Sequence, residues 1–523
     1  MLKINKKNKT KNKVFEFLTI FSMVFGLVIG SGIYLKNRDQ EGGVLSAAEK
    51  NPILALTIWL FIGVLCTFIM LAFIQITSSS KKENHNTIQS WTGKFINRRS
   101  ASLFAIFYVC LYMPVLASIG AIFTIDTLFK AINVFLEASG NGTFRSKFTK
   151  ETYVLIQILA STFLLIFFQV INAFTTTPSK IIQTVFTFVK FIPLIAVIAG
   201  GLTVYYNHSV EQNSFTENQN VWKVNSVFAT VVPVLFAFDG FIYGATLQKD
   251  VEHKTVVAPA MMTSIMAVTA FYILITFAIF VGAKDGDVFN LFDTIFKNKP
   301  EFSLLFKIII TCTLLTTING YTTLLPKTIQ SAVDEGFIFI GSSKSAMTHK
   351  KAALIGSGIT LIILLLTIAI SLPLTWNDYV NNENTPNYFY VADATSSATA
   401  VYAFMIYLSL MIGLLVNYKT KKVEVLYNTR KSFITNIITT FILATALCYL
   451  NYDFFINSFM SNNRDKYIQP VSTLISGSLV LLFWVVNEYL IDRNQNSTNG
   501  TFKKFNLISW FKINKKQKTS EGK

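Results

Sequence analysis

The apolar residues of this chain are gathered into twelve blocks of about twenty residues, with short polar stretches between them. Residues 155–170 and 185–202 are two plain examples. A helix rises about 1.5 Å per residue, so a block of this length crosses the roughly 30 Å hydrocarbon core of a bilayer. Twelve such blocks cannot all be core helices of a water-soluble domain. They fall at 15–35, 52–77, 101–129, 152–174, 179–205, 224–247, 257–281, 302–329, 352–372, 392–416, 433–451 and 468–491. Only 14% of the 523 residues are charged, against roughly a quarter in a soluble protein. The expected fold is an all-α integral membrane protein with about twelve transmembrane helices.

The formal net charge of +18 is placed as a membrane topology would place it. Six lysines lie between residues 3 and 13, and seven between 503 and 523. Lys and Arg in the loops on the side of the N-terminus outnumber those on the other side by more than two to one. The excess predicts both termini in the cytoplasm of a plasma-membrane protein, with residues 1–14 and 492–523 as basic tails beside anionic lipid. A charge run of this kind is a solvated tail and does not point to nucleic acid. The longest loops leave no room for a soluble catalytic head. No G-x-x-x-x-G-K-[ST] phosphate loop and no catalytic constellation of His, Ser or Cys is present, so an enzyme is not expected. Cys66, Cys110, Cys312 and Cys448 lie in apolar blocks and read as packing residues. His85, His208, His253 and His349 scatter over separate loops without zinc spacing. Neither a cofactor nor a metal is expected.

Two blocks are poor helices at their centres. The first carries Gly26, Gly30, Ser31 and Gly32, and each glycine costs about 1 kcal/mol relative to alanine in a helix. Close helix packing through small residues is the plainer account. The alternative is a broken helix, whose free N–H groups would face a carboxylate at a half-helix N-terminus. Unwound backbone persists at membrane depth only where it lines a cavity. The sixth block contains Phe236-Ala237-Phe238-Asp239-Gly240-Phe241, again with small residues at mid-span. Asp239 at a bilayer centre costs about 2.5–3.5 kcal/mol even on the lenient insertion scale, so it must face protein, water or ligand. It reads either as a structural acceptor or as an amine or proton site. The two interruptions fall in equivalent places of two consecutive five-helix units. That is the sequence pointer to an inverted-repeat transporter, with residues 15–205 and 224–416 as the repeats and 433–491 as two added helices. Lys190 is a second charge within a block. Lys307 lies nearer a block end and is expected to snorkel.

At these residues the chain resembles the amino acid–polyamine–organocation superfamily, whose members share the LeuT-type fold. Gly30-Ser31-Gly32-Ile33 is similar to the family's helix-one signature, and Phe236 to Phe241 to its helix-six segment. Lys190-Phe191-Ile192-Pro193-Leu194 with Gly200-Gly201 resembles the helix-five pattern. Asn319-Gly320 and Ser331-Ala332-Val333-Asp334-Glu335-Gly336 resemble the loop after helix eight. That loop carries Lys327 or Thr328 where the family usually has arginine, which loosens any subfamily assignment. The resemblance implies a secondary transporter for amino acids or related amines. Backbone N–H groups of Ser31, Gly32 and Ile33 would hold the substrate carboxylate. Carbonyls near Val28 and Ile29, and near Phe236, Ala237 and Phe238, would hold its ammonium, with Phe238, Phe241 and Tyr243 closing over it. Lys190 would stand where sodium-coupled relatives hold an ion and, with Asp239, would couple transport to protons. Amino-acid exchange, polyamine transport and a non-transporting sensor remain alternatives. Substrate, stoichiometry and oligomeric state are not legible.

Overall fold

The computed structural model describes residues 2–39, 42–79, 86–175, 177–207, 212–216, 222–242, 253–297, 299–341, 347–381, 388–426, 428–452, 455–456, 460 and 465–498. Among them every regular element is helical. The first half runs α1 (Leu2–Val28), α2 (Ser31–Leu35), α3 (Val44–Ala47), α4 (Pro52–Ser78), α5 (Ile88–Phe95) and α6 (Arg98–Phe107). A π turn (Tyr108–Tyr112) joins α6 to α7 (Met113–Ala138), followed by α8 (Lys150–Phe174), α9 (Thr177–Val189), α10 (Phe191–Tyr206) and α11 (Val224–Phe238). The second half adds α12 (Val257–Gly282), α13 (Val288–Ile295), α14 (Pro300–Asp334), α15 (His349–Asn381), α16 (Tyr388–Thr420), α17 (Arg430–Tyr452) and α18 (Asp465–Thr498).

Nine helical stretches among the described residues are long and apolar enough to cross a bilayer. They correspond to nine of the twelve sequence blocks. The other three are the blocks in which the chain does not run as one helix: the first (α1 and α2), the fifth (α9 and α10) and the sixth (α11 and the short turn at residues 241–242). Residues 243–250, which include the rest of the sixth block with Tyr243 and Gly244, lie outside the described residues. So do His85, His208, the 503–523 tail and the side chains of Ser31 and Lys180. The N-terminal tail differs from expectation in one respect: α1 begins at Leu2, so the basic segment is helical and continuous with the first span.

Local chemistry sets several of the helix starts. Asn51 accepts a hydrogen bond from the Leu54 amide at 3.0 Å, and Pro52 occupies the first turn of α4, where its missing N–H costs nothing. The Asn97 side chain caps α6 through the Ser100 amide at 2.8 Å. The π turn has an equally local cause. Pro114 brings no N–H for the carbonyl of Cys110, and the Met113 amide instead reaches back five residues to the Tyr108 carbonyl.

The third span, from α6 through α7, is almost wholly buried and forms the middle of the molecule. It packs along α14 and against α8, α15 and α16. On the periphery, Phe163 of α8, Leu354 of α15 and Phe441 of α17 are each at least 70% exposed. That pattern suits acyl chains as solvent, because backbone groups are satisfied within each helix and the side chains need only be apolar. Lys307 corrects the snorkelling expectation. It is buried on α14, and its ammonium pairs with both carboxylate oxygens of Asp293 at 2.8 Å.

Candidate substrate-binding site

The first span stops being helical at Val28 and resumes at Ser31. Gly30 between them has φ −136° and ψ −143°. The sixth span stops at Phe238: Asp239 is extended (φ −60°, ψ 151°), and Gly240 sits at φ +94°, a region that glycine enters without steric cost. The two breaks touch. A Cβ added to Gly32 would lie 2.6 Å from the Cα of Ala237, so only glycine permits this approach.

A cleft of about 890 Å³, open solvent included, lies against the two breaks. Gly26, Val28, Ile29, Gly30 and Gly32 line one side, and Phe236, Ala237, Asp239 and Gly240 another. The remaining wall comes from α7 (Leu116, Ile119, Gly120, Phe123), Gln183 of α9 and α14 (Thr316, Thr317, Gly320, Tyr321, Leu324). Of the twelve residues at 28–33 and 236–241, eight thus meet at one cavity. Three do not line it. Ile33 is fully buried beyond the break. Phe238 points away, packed against Trp59 at 5.9 Å and Tyr272 at 5.1 Å between ring centroids. Phe241 packs on Phe404 and Tyr407. The reason is helical phase: residues two apart on α11 point to nearly opposite faces, so Phe236 rather than Phe238 reaches the cleft.

The carbonyls freed at the breaks are already engaged. The Lys190 ammonium, buried in the turn between α9 and α10, donates to the carbonyls of Gly26 and Ile29, the latter at 2.5 Å. The fifth span turns there because Pro193 lacks an N–H and crowds the turn before it. The carbonyl of Lys190 accepts from the Tyr34 hydroxyl at 3.0 Å. The Tyr272 hydroxyl lies 2.8 Å from the Val28 carbonyl and 3.0 Å from that of Ala237. The Phe236 carbonyl accepts from the Asp239 amide at 3.2 Å. Four of the carbonyls that the resemblance offered to a substrate ammonium therefore already hold protein donors.

Asp239 is the carboxylate at the cleft. Tyr112, at the end of the π turn, donates to its Oδ2 at 2.5 Å. Tyr407 of α16 donates to Oδ1 at 3.0 Å, and the Gly240 amide to the same oxygen at 2.8 Å. A carboxylate offers about four lone-pair sites, so one remains for a further donor. At the end of α2, the Lys36 ammonium lies 4.7 Å from the centroid of the Phe236 ring. It donates to Asp393 at 2.5 Å and Ser397 at 3.2 Å on α16, and both ions are almost fully buried.

Sequence reasoning missed Tyr112, Tyr272 and Tyr407, and it counted Lys36 among the loop charges. Their signal was present but diffuse. A tyrosine within an apolar span needs a partner for its hydroxyl, but the sequence does not say which. Met113-Pro114 marked the disturbed turn beside Tyr112.

The fold matches the crystal structure of MhsT in complex with L-phenylalanine at a TM-score of 0.57, with 16% identity, over 83% of this chain and 97% of that one. This helical architecture, with interrupted first and sixth spans around one cleft, is that of a multi-pass membrane protein of the LeuT-type fold. The chain belongs to the amino acid permease family, whose pattern it matches over residues 15–486. It is therefore an amino acid transporter of the amino acid–polyamine–organocation superfamily. It is 22% identical over 463 residues to an uncharacterized protein of Mycoplasma pneumoniae, covering 80% of each chain. It is 28% identical over 271 residues to the serine/threonine exchanger SteT of Bacillus subtilis, covering 51% of this chain and 54% of that one.

Proposed function

We propose that the chain carries a zwitterionic amino acid across the plasma membrane by alternating access, in symport with protons. The observation that carries this reading is the meeting of the two breaks at one cleft. On one side the backbone amides at residues 31–33 begin a half-helix and suit a carboxylate. On the other side Asp239 keeps one acceptor site for an ammonium. Residues 15–205 and 224–416 are read as two halves that open the cleft to either side in turn, with both termini in the cytoplasm. Cysteines introduced at residues 10 and 500 then label only from the cytoplasmic face; labelling of either from outside contradicts the topology.

Lys190 is proposed as the proton carrier. Its ammonium ties the fifth span to the first break, and a lysine that gave up its proton would loosen that tie as the cleft changes sides. In proteoliposomes, Lys190→Ala is expected to lose accumulation driven by an inward proton gradient while keeping exchange of internal for external substrate. Accumulation at the wild-type level removes the coupling role. Asp239→Asn is expected to raise KM about four- to tenfold, because a charge-assisted hydrogen bond becomes a neutral one about half as strong. Exchange without proton coupling is the second reading, favoured by the likeness to SteT. In that case wild-type protein exchanges substrate yet never accumulates it.

A further inference from the structure

Unwinding a membrane helix leaves backbone carbonyls that their own helix no longer satisfies. At the first break those of Gly26, Val28 and Ile29 are among them. Lys190 takes two of them, and the third, at Val28, is shared with the second break by a single hydroxyl. Tyr272 sits on α12, outside both broken spans, and is fully buried. Its ring is held edge-on between Trp59, at 5.0 Å, and Phe238, at 5.1 Å. Its hydroxyl is therefore not free to swing. It points one proton at two carbonyls that belong to different broken helices.

We infer that Tyr272 is a positioning residue for substrate binding: its hydroxyl fixes the first break against the second, so that the amides after Gly30 and the carboxylate of Asp239 stand at the spacing of one bound substrate. This rests on the reading of the cleft as the substrate site. The shared hydroxyl explains why the contact of Gly32 with Ala237 holds its register. Without it, two backbone carbonyls would each need a new donor, and the two segments would be free to separate in finding one. The same helix fastens the chain beyond the break through a separate link. Thr276 donates to Asn37 at 3.2 Å, and Asn37 donates to the Ile33 carbonyl at 3.1 Å. Thr276 touches neither break and provides the comparison.

The test is initial-rate uptake of a transported amino acid by reconstituted protein, comparing Tyr272→Phe, Thr276→Val and Gly32→Ala. Tyr272→Phe keeps the ring and removes only the hydroxyl. The expected result is a KM at least about tenfold higher, with Vmax within about threefold of wild type. Thr276→Val should leave KM within about twofold. Wild-type KM in Tyr272→Phe overturns the inference, and so does a fall in Vmax at unchanged KM. Equal KM increases in Tyr272→Phe and Thr276→Val overturn it as well, since general loosening of α12 would then suffice. Gly32→Ala separates this from the site itself. Lost binding there beside unchanged Tyr272→Phe removes the tie and leaves the site standing, whereas retained binding in Gly32→Ala removes the site.

Discussion

Single residues decide whether the two breaks can exist. Gly32 allows the backbone of the first to rest on Ala237, and Gly240 allows the turn after Asp239. The buried Lys36–Asp393 pair shows how charge is managed beside the cleft. Removing one member of a buried pair leaves an uncompensated charge and costs about 3–5 kcal/mol, while replacing both by apolar residues is often neutral. Lys36→Met is thus expected to lower the melting temperature of the purified protein markedly, and Lys36→Met with Asp393→Leu to recover most of it. Equal stability of the single variant and the wild type would show that the pair carries no such burden. The pair was not visible in the sequence, because its members are 357 positions apart and each lies near the edge of an apolar block. Gly30 and Gly32 were visible, since three glycines within seven residues contradict the helix that the block otherwise demands.

Among elements, the informative ones are those that fail to be plain α-helices. The first and sixth spans announced their breaks through glycine and a mid-span carboxylate. The fifth gave a weaker sign in Pro193, and the third only Pro114. The π turn before Pro114 adds one residue to the third span, and so sets which face presents Tyr112 to Asp239. Pro114→Ala returns the missing amide, and an α-helical path through this turn rotates Tyr112 by about 100°. The expected outcome is uptake at least tenfold lower with unchanged helix content by circular dichroism. Unchanged uptake would mean that the Tyr112 contact is dispensable. Which of Phe236, Phe238 and Phe241 faces the cleft depended on helix phase at the break, and the positions where a helix starts and stops are what apolar patterning defines least well.

For the whole molecule, the sequence was most legible where the bilayer imposes a length. Among the described residues, the twelve blocks of spanning size correspond to nine continuous stretches and three interrupted ones, and the interrupted ones all contribute to the cleft region. What stayed hidden was the network that closes each break, because its donors, Lys190, Tyr272 and Tyr34, come from spans far apart along the chain. In the proposed site the two breaks hold both charged ends of one amino acid. The most direct measurement is equilibrium binding of an amino acid to the purified protein, in competition with its methyl ester and with its deaminated acid. Both analogues are expected to compete at least about tenfold more weakly than the parent, since each loses one charge-assisted contact of roughly 1.5–3 kcal/mol. An ester or a deaminated acid that competes as well as the amino acid itself would contradict that site.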